Sequence, residues 1–398
     1  MRCAVTCIGW LLVSAPVTAE FSGNIAVETL NFRESGQFQD QVNDNLSLSF
    51  QPKLDGQWNQ GDDLWSIELF MRTEDKDTGR EHGDIRELLW LHIDGDNEWR
   101  VGINTMFWGV TESRHLVDVI NQVDQLEGLD GEEKLGQPMI HLKHYEDWGV
   151  LDFLLLPGFR ERDFPNKRGR RRTPLVVDTD QARYQSSDEQ QHIDYAIRFS
   201  QTYGDLDVGV SWFDGTSRDP LLLPGSDGGE PVLTPFYEQM TQLGIDAQLL
   251  YEDWIWRLEF IHREADSNDY NAYTAGFEYT FYGVFESDND FGTILEYSHD
   301  DRPDTEEEGG GVGTIFDNDV FVGGRYSFND AQSGEILAGF VVDTENQGRT
   351  FRVEANRRFG DSWKGTLELQ TFSNIDEDDV LAALENDDYL LLEMAYYF

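Results

Sequence analysis

Two stretches hold the residues best equipped for chemistry, and their charges oppose. Residues 106–136 carry Glu112, Asp118, Asp124, Glu127, Asp130, Glu132 and Glu133 against Arg114 and Lys134. Residues 159–189 carry Arg160, Arg162, Lys167, Arg168, Arg170, Arg171, Arg172 and Arg183, and their balance is positive in a chain with a formal net charge of -47. Carboxylates beside a passage attract cations, while guanidinium forks take carboxylates and phosphates in bidentate fashion. The pair therefore reads as an electrostatic filter, with the arginine run as a candidate anion contact. The plainer reading of each is a solvated loop whose charges neutralise one another.

Catalytic constellations are missing from the sequence. His141 and His144 lie three apart, which on a strand points them to opposite faces, and neither His-x-Glu-x-x-His nor a nucleophile elbow occurs. Ser113, His115 and Asp118 share a loop without further support for a triad. Both cysteines, Cys3 and Cys7, sit near the start, so the rest of the chain offers no thiolate ligand or nucleophile. Asp94-Gly95-Asp96 and Asp288-Asn289-Asp290 read as turns, since EF-hand spacing is absent. No enzyme activity, metal or cofactor is expected. With 77 acids against 30 bases, nucleic acid is excluded as a partner, because its phosphates would be repelled.

The elements that must position the charged stretches are strands. Residues 1–19 have an early Arg2, an apolar run from Ala4 to Val13 and a Val17-Thr18-Ala19 end, which reads as an export leader. Beyond Ala19 no run of eighteen apolar residues appears, so an exported chain that spans a membrane must do so with strands. Eighteen strand-like segments follow, near 22–33, 43–54, 62–73, 83–94, 97–105, 137–146, 148–158, 190–202, 205–214, 238–252, 253–264, 270–283, 289–300, 315–328, 332–344, 347–358, 361–373 and 387–398; sixteen is the alternative count. Their connections alternate. Gly95-Asp96, Glu146-Asp147, Tyr203-Gly204, Glu252-Asp253 and Phe359-Gly360 mark tight turns, and 106–136, 159–189, 215–237, 301–314 and 374–386 are long. Charge keeps to one face of each strand. Trp65, Ile67, Leu69 and Met71 alternate with Ser66, Glu68, Phe70 and Arg72; Ile193, Tyr195, Ile197 and Phe199 alternate with His192, Asp194, Ala196 and Arg198. A soluble sandwich yields the same alternation with its apolar face turned inward. In a barrel, Arg72, Arg86, Arg100, Arg198, Glu68 and Asp194 become candidates for the lumen wall.

The last strand decides between these. Leu390, Leu392, Met394, Tyr396 and Phe398 form a purely apolar face ending on an aromatic, a tip that stays unpaired unless the strand closes onto an early one. This ending resembles the terminal strand of Gram-negative outer-membrane β-barrels. The resemblance implies that Tyr396 and Phe398 belong to the signal read by the barrel-assembly machinery, and that outer-membrane lipid and lipopolysaccharide surround the protein, the latter as a phosphate partner for Arg160, Arg162, Arg168, Arg170, Arg171 and Arg172. Trp108-Gly109, Asp118-Val119-Ile120-Asn121 and Asp124, continuing through Leu151-Asp152-Phe153 to Phe164-Pro165, are similar to a porin-like family known only as a domain of unknown function, although Gln122 stands where that family has Pro. By its position, 106–136 resembles the inward third loop of porins, which makes Glu112, Arg114, Asp118, Asp124 and Glu127 candidates for a pore constriction.

The fold expected is therefore all-β, one transmembrane antiparallel up-and-down barrel over residues 20–398 with about eighteen strands, short periplasmic turns and long extracellular loops. Its expected function is passive diffusion of small polar or amphiphilic solutes, the opposed loops favouring zwitterionic or mixed ones. Export of an anionic polysaccharide, as in the alginate-export barrels that the strand number and arginine content resemble, and a secreted acidic carbohydrate-binding protein are the alternatives. Monomer and trimer both fit.

Overall fold

A computed structural model describes residues 18–302, 317–377 and 379–398. The expected leader lies outside the described residues except for Thr18 and Ala19, which begin the first strand, and so does most of the long connection expected at 301–314. All eighteen expected strands are present, from 8 residues (Asn97–Asn104) to 15 (Thr18–Phe32) in length. Each pairs antiparallel with its neighbour in the chain, and the last, Tyr389–Tyr397, returns to the first in the register Asn24↔Tyr397 to Phe32↔Tyr389. The terminal aromatic extends that seam. Gly23 N–H donates to the Phe398 carbonyl (3.2 Å), Phe398 N–H donates to the Gly23 carbonyl (3.1 Å), and the Phe398 ring lies 5.3 Å from that of Phe21.

Which face is buried separates barrel from sandwich, and here the usual order is reversed. Apolar side chains stand on the outside, Val27 49%, Leu48 47% and Met394 42% exposed, while Glu28 (4%), Asp194 (0%) and Glu259 (0%) are buried within. Only a solvent of hydrocarbon makes that arrangement favourable. Among the described residues no helix is long and apolar enough to cross a membrane.

Turn asymmetry is real but less complete than the sequence implies. The five expected tight turns share the end that holds the chain termini, yet that end also carries the longer connections 282–289 and 328–334. At the opposite rim one connection, 266–268, is only three residues, because Glu238 takes the Ser267 N–H (3.0 Å) and hydroxyl (2.6 Å) and closes it. The segment 215–237, expected as a loop, holds a hairpin of Leu221–Asp227 with Glu230–Tyr237, joined in parallel by Arg183–Tyr184 of the preceding long loop. A β-bulge lies between Glu68 and Leu69 of Asp63–Glu74 and their partners on His82–Asp94. Its extra residue lets Arg86 and Glu87, adjacent in sequence, both reach inward partners.

The inward third loop and the lumen wall

The loop 105–136 leaves the strand Asn97–Asn104 and folds into the barrel, as its position implies. Asn121 braces its base: the side chain accepts from Met106 N–H (3.0 Å) and donates to the carbonyls of Asn104 and Leu135 (both 2.9 Å). Its apolar residues Trp108, Leu116, Val117, Val119 and Ile120 pack against Met139, Leu154, Leu156, Phe213, Met240 and Ile261 of the wall in one dry cluster. Burial of this kind contributes roughly 1.5–3 kcal/mol for each large side chain. One side of the lumen is thereby filled.

Polar contacts hold the loop from the other direction. Glu259 is fully buried, and its carboxylate accepts from Val110 N–H (2.7 Å), Thr111 N–H (3.0 Å), Thr111 hydroxyl (2.7 Å) and Val117 N–H (3.1 Å). Glu296 does the same for Glu112 N–H (2.8 Å) and for Ser113 N–H (2.7 Å) and hydroxyl (2.6 Å). Two wall carboxylates thus act as anions in cradles of loop backbone. Gly109, at φ +139°, is the point of closest approach: a Cβ there would lie 2.9 Å from Glu259 Oε1. This is what the Trp108-Gly109 pair does in the fold. Glu259 and Glu296 carry no signal in sequence beyond an inward phase, because their partners lie more than 140 residues away.

Most of the loop's own charges are spent on the wall. Glu127 takes Arg72 in a bidentate pair (2.7 and 2.5 Å) and Asp124 takes Arg86 (2.5 Å) and His82 (3.1 Å). Glu112 meets Arg325 (2.5 Å), Asp130 meets Arg352 (2.5 Å) and Arg114 meets Asp300 (2.6 Å). Asp118 stays within the loop, accepting from Trp108 N–H (3.3 Å) beside Lys134 (3.0 Å). Burial raises the Asp118 carboxyl above the ordinary aspartate range, Lys134 only partly opposing it. Burial acts the same way on Asp124, but hydrogen bonds and charge from His82 and Arg86 outweigh it and hold that carboxyl low. Asp130 is held low against its burial by Arg352.

The expected lumen residues therefore divide. Arg72 and Arg86 are clamps for the loop. Arg198 pairs with Asp246 (2.6 and 2.8 Å) with its guanidinium 5.2 Å from the Trp108 ring centre, and Asp194 anchors Arg218 (2.8 Å) of the fifth loop, which also reaches the Ile120 carbonyl. Arg100, beside Glu98 (2.7 Å), and Glu68, beside Lys53 (3.0 Å), remain partly open.

The arginine run corrects the expectation of an exposed anion contact. Arg170, Arg171 and Arg172 are buried at 3–7% exposure. Arg170 donates to Asp387 (2.7 Å) and to the carbonyls of Glu34 and Asn386, with its guanidinium 4.2 Å from the Phe32 ring centre. Arg171 takes a left-handed backbone (φ +56°) and its N–H meets the other Asp387 oxygen (2.5 Å). Arg172 lies over Phe38 (4.4 Å). The fourth loop is thus sewn to the first and last loops across the barrel seam. Arg160 holds Asp84 (2.8 Å), and Arg162 holds the half-exposed Asp219 (2.6 Å), whose carboxyl the guanidiniums of Arg162 and Arg263 keep well below the ordinary range. Of the six expected anion-contact residues, only Arg168 is exposed.

What stays open is the far wall. Arg325, Glu335, Arg352, Glu354, Glu368 and Lys53 point inward with side chains 23–38% exposed, against 0–12% for the clamps Arg72, Asp194 and Arg198. The lumen has a dry side and a wet side.

Fold and inward loop together define a porin-type barrel. Among solved structures the chain is similar to Pseudomonas aeruginosa OpdO (10% identity, TM-score 0.54, covering 96% of each chain) and OpdQ (13%, 0.53, covering 96% of this chain and 97% of that one). Pseudomonas aeruginosa OccK8 (OprE) matches at 10% identity and TM-score 0.53, covering 96% of this chain and 98% of that one. At such identities the likeness is one of fold. No protein-family model matches the chain and no curated protein does, so the resemblances to the porin-like domain of unknown function and to alginate-export barrels gain nothing from them.

Proposed function

We propose that this chain is an outer-membrane channel for passive diffusion of small polar or amphiphilic solutes. The observation that carries the reading is the two-sided lumen: the third loop fills one side, and the wall opposite keeps half-exposed charges that would face water. Such a wall lowers the cost of moving a solute out of bulk water, while the loop sets the bore. An apolar outer belt and a seam sealed by Phe398 support insertion by the barrel-assembly machinery into a bilayer carrying lipopolysaccharide. The opposed-loop filter is replaced by a different one, because most acids of the third loop are already paired and Arg170, Arg171 and Arg172 of the fourth loop are buried. Selectivity then belongs to the wall facing the loop. Reconstitution into planar bilayers tests the proposal, with stepwise, ohmic conductance expected. A folded barrel, shown by heat-modifiable migration, that never conducts would sink it.

A further inference from the structure

Two bridges from the third loop cross to the open wall. Glu112 lands on Arg325 of Asn318–Ser327, and Asp130 on Arg352 of Arg349–Phe359. The strand Glu335–Asp343 lies in the gap between them. Its inward residues Leu337, Gly339 and Val341 face Arg325, Gly323 and Phe321 on one neighbour, and Glu354, Arg352 and Thr350 on the other. The phase is fixed by alternation, since Val322 and Phe340 are 47% and 49% exposed on the outer face while Asp319 and Asp343 are buried within.

The two facing glycines leave a recess, and the Phe321 ring lies over it: a Cβ on Gly339 would fall 2.3 Å from that ring and one on Gly323 2.6 Å. Phe321, Leu337 and Val341 are each half-buried, so with the Phe321 ring seated in that recess they form an apolar patch in a wall otherwise lined with charge. The frame of that patch is not neutral. Arg257 and Arg325 meet Glu112, Glu278 and Glu335; Arg352 meets Asp130, Glu354 and Glu368. Three guanidiniums stand against six carboxylates.

A neutral apolar solute would gain only burial here, and an apolar anion would meet excess negative charge. A cation with a flat hydrocarbon body gains from both, because an aromatic face also attracts positive charge. Resting on the channel reading above, we propose that this patch is a subsite for organic cations with an apolar body, the ammonium among the surplus carboxylates and the hydrocarbon on Phe321, Leu337 and Val341.

Current block in single-channel recordings tests this with three probes: phenethylammonium, ethylammonium and phenylacetate. Phenethylammonium is expected to block roughly tenfold more tightly than either of the others, the scale of one well-placed aromatic pair over ethylammonium and of the opposed charge over phenylacetate. Phe321→Ala and Gly339→Val, the first removing the ring and the second displacing it from the recess, should each bring phenethylammonium to the level of ethylammonium while conductance persists. If Phe321→Ala does not fold, Phe321→Leu keeps most of the volume, removes the aromatic face and gives the same contrast. Equal block by phenylacetate, or block that ignores both substitutions in a conducting barrel, overturns the subsite. Absence of any conductance from the folded wild-type barrel overturns the channel reading instead.

Discussion

The third and fourth loops carry opposite charge and come to the same end. Each is pinned by ion pairs, but to different bodies: the acidic third loop grips the barrel wall through the buried Arg72 and Arg86 and the partly open Arg325 and Arg352, whereas the fourth grips its neighbouring loops through the buried Asp387 and the exposed Asp219. The first arrangement narrows a passage, and the second holds the mouth together across the seam. Net charge of a loop is therefore a poor guide to the charge a solute meets. What counts is the surplus left after pairing, and that surplus lies on the wall.

Four perturbations bear on this contrast. The largest effect is expected at Glu259→Ala, which strands three backbone donors at about 1–3 kcal/mol for each buried group. Single-channel conductance should rise as the third loop leaves the lumen. Unchanged conductance in a folded variant would show that the dry cluster alone holds the loop. Next comes Arg170→Ala, which leaves Asp387 buried without its partner and should cost about 3–5 kcal/mol. Urea denaturation should register the loss while conductance stays near wild type; the reverse outcome would place the fourth loop in the conduction path.

The third perturbation is acid. Asp124 and Asp130 have carboxyls held below the ordinary aspartate range, so the native loop binds fewer protons than the unfolded one as pH falls. Their contribution is complete above about pH 3.9 and is lost as pH drops through the lower native values. Conductance should therefore hold through mildly acid conditions and rise only below that point. A rise near neutral pH would assign the clamp to other groups. The smallest effect is expected at the exposed Arg168→Gln, within about 0.5 kcal/mol in stability and without a shift in reversal potential. A clear shift would return the arginine run to the passage.

Much of the fold is legible in the chain. Eighteen strands, the division of each into an apolar and a charged face, the tight turns at one end and the closing role of Phe398 all follow from alternation and turn residues, which act over a few positions. Inward folding of 106–136 is what the resemblance of its position to the third loop of porins implies. The hairpin in 215–237 was hidden because Leu221–Asp227 and Glu230–Tyr237 include Pro224, Pro231 and Pro235, residues that argue against strands.

Alternation by itself determined that one face of each strand is apolar and the other charged. It did not determine which faces out, because a sandwich and a barrel write the same pattern; closure of Tyr389–Tyr397 onto Thr18–Phe32 decided that. Nor did it determine where the charges go. Glu127 with Arg72, Glu112 with Arg325, Arg170 with Asp387 and Glu259 with the loop backbone join residues 55 to 217 positions apart. Such pairings depend on how the barrel closes and where the loops enter it. The same arginine that local sequence presents as a free cation becomes, once folded, half of a buried pair.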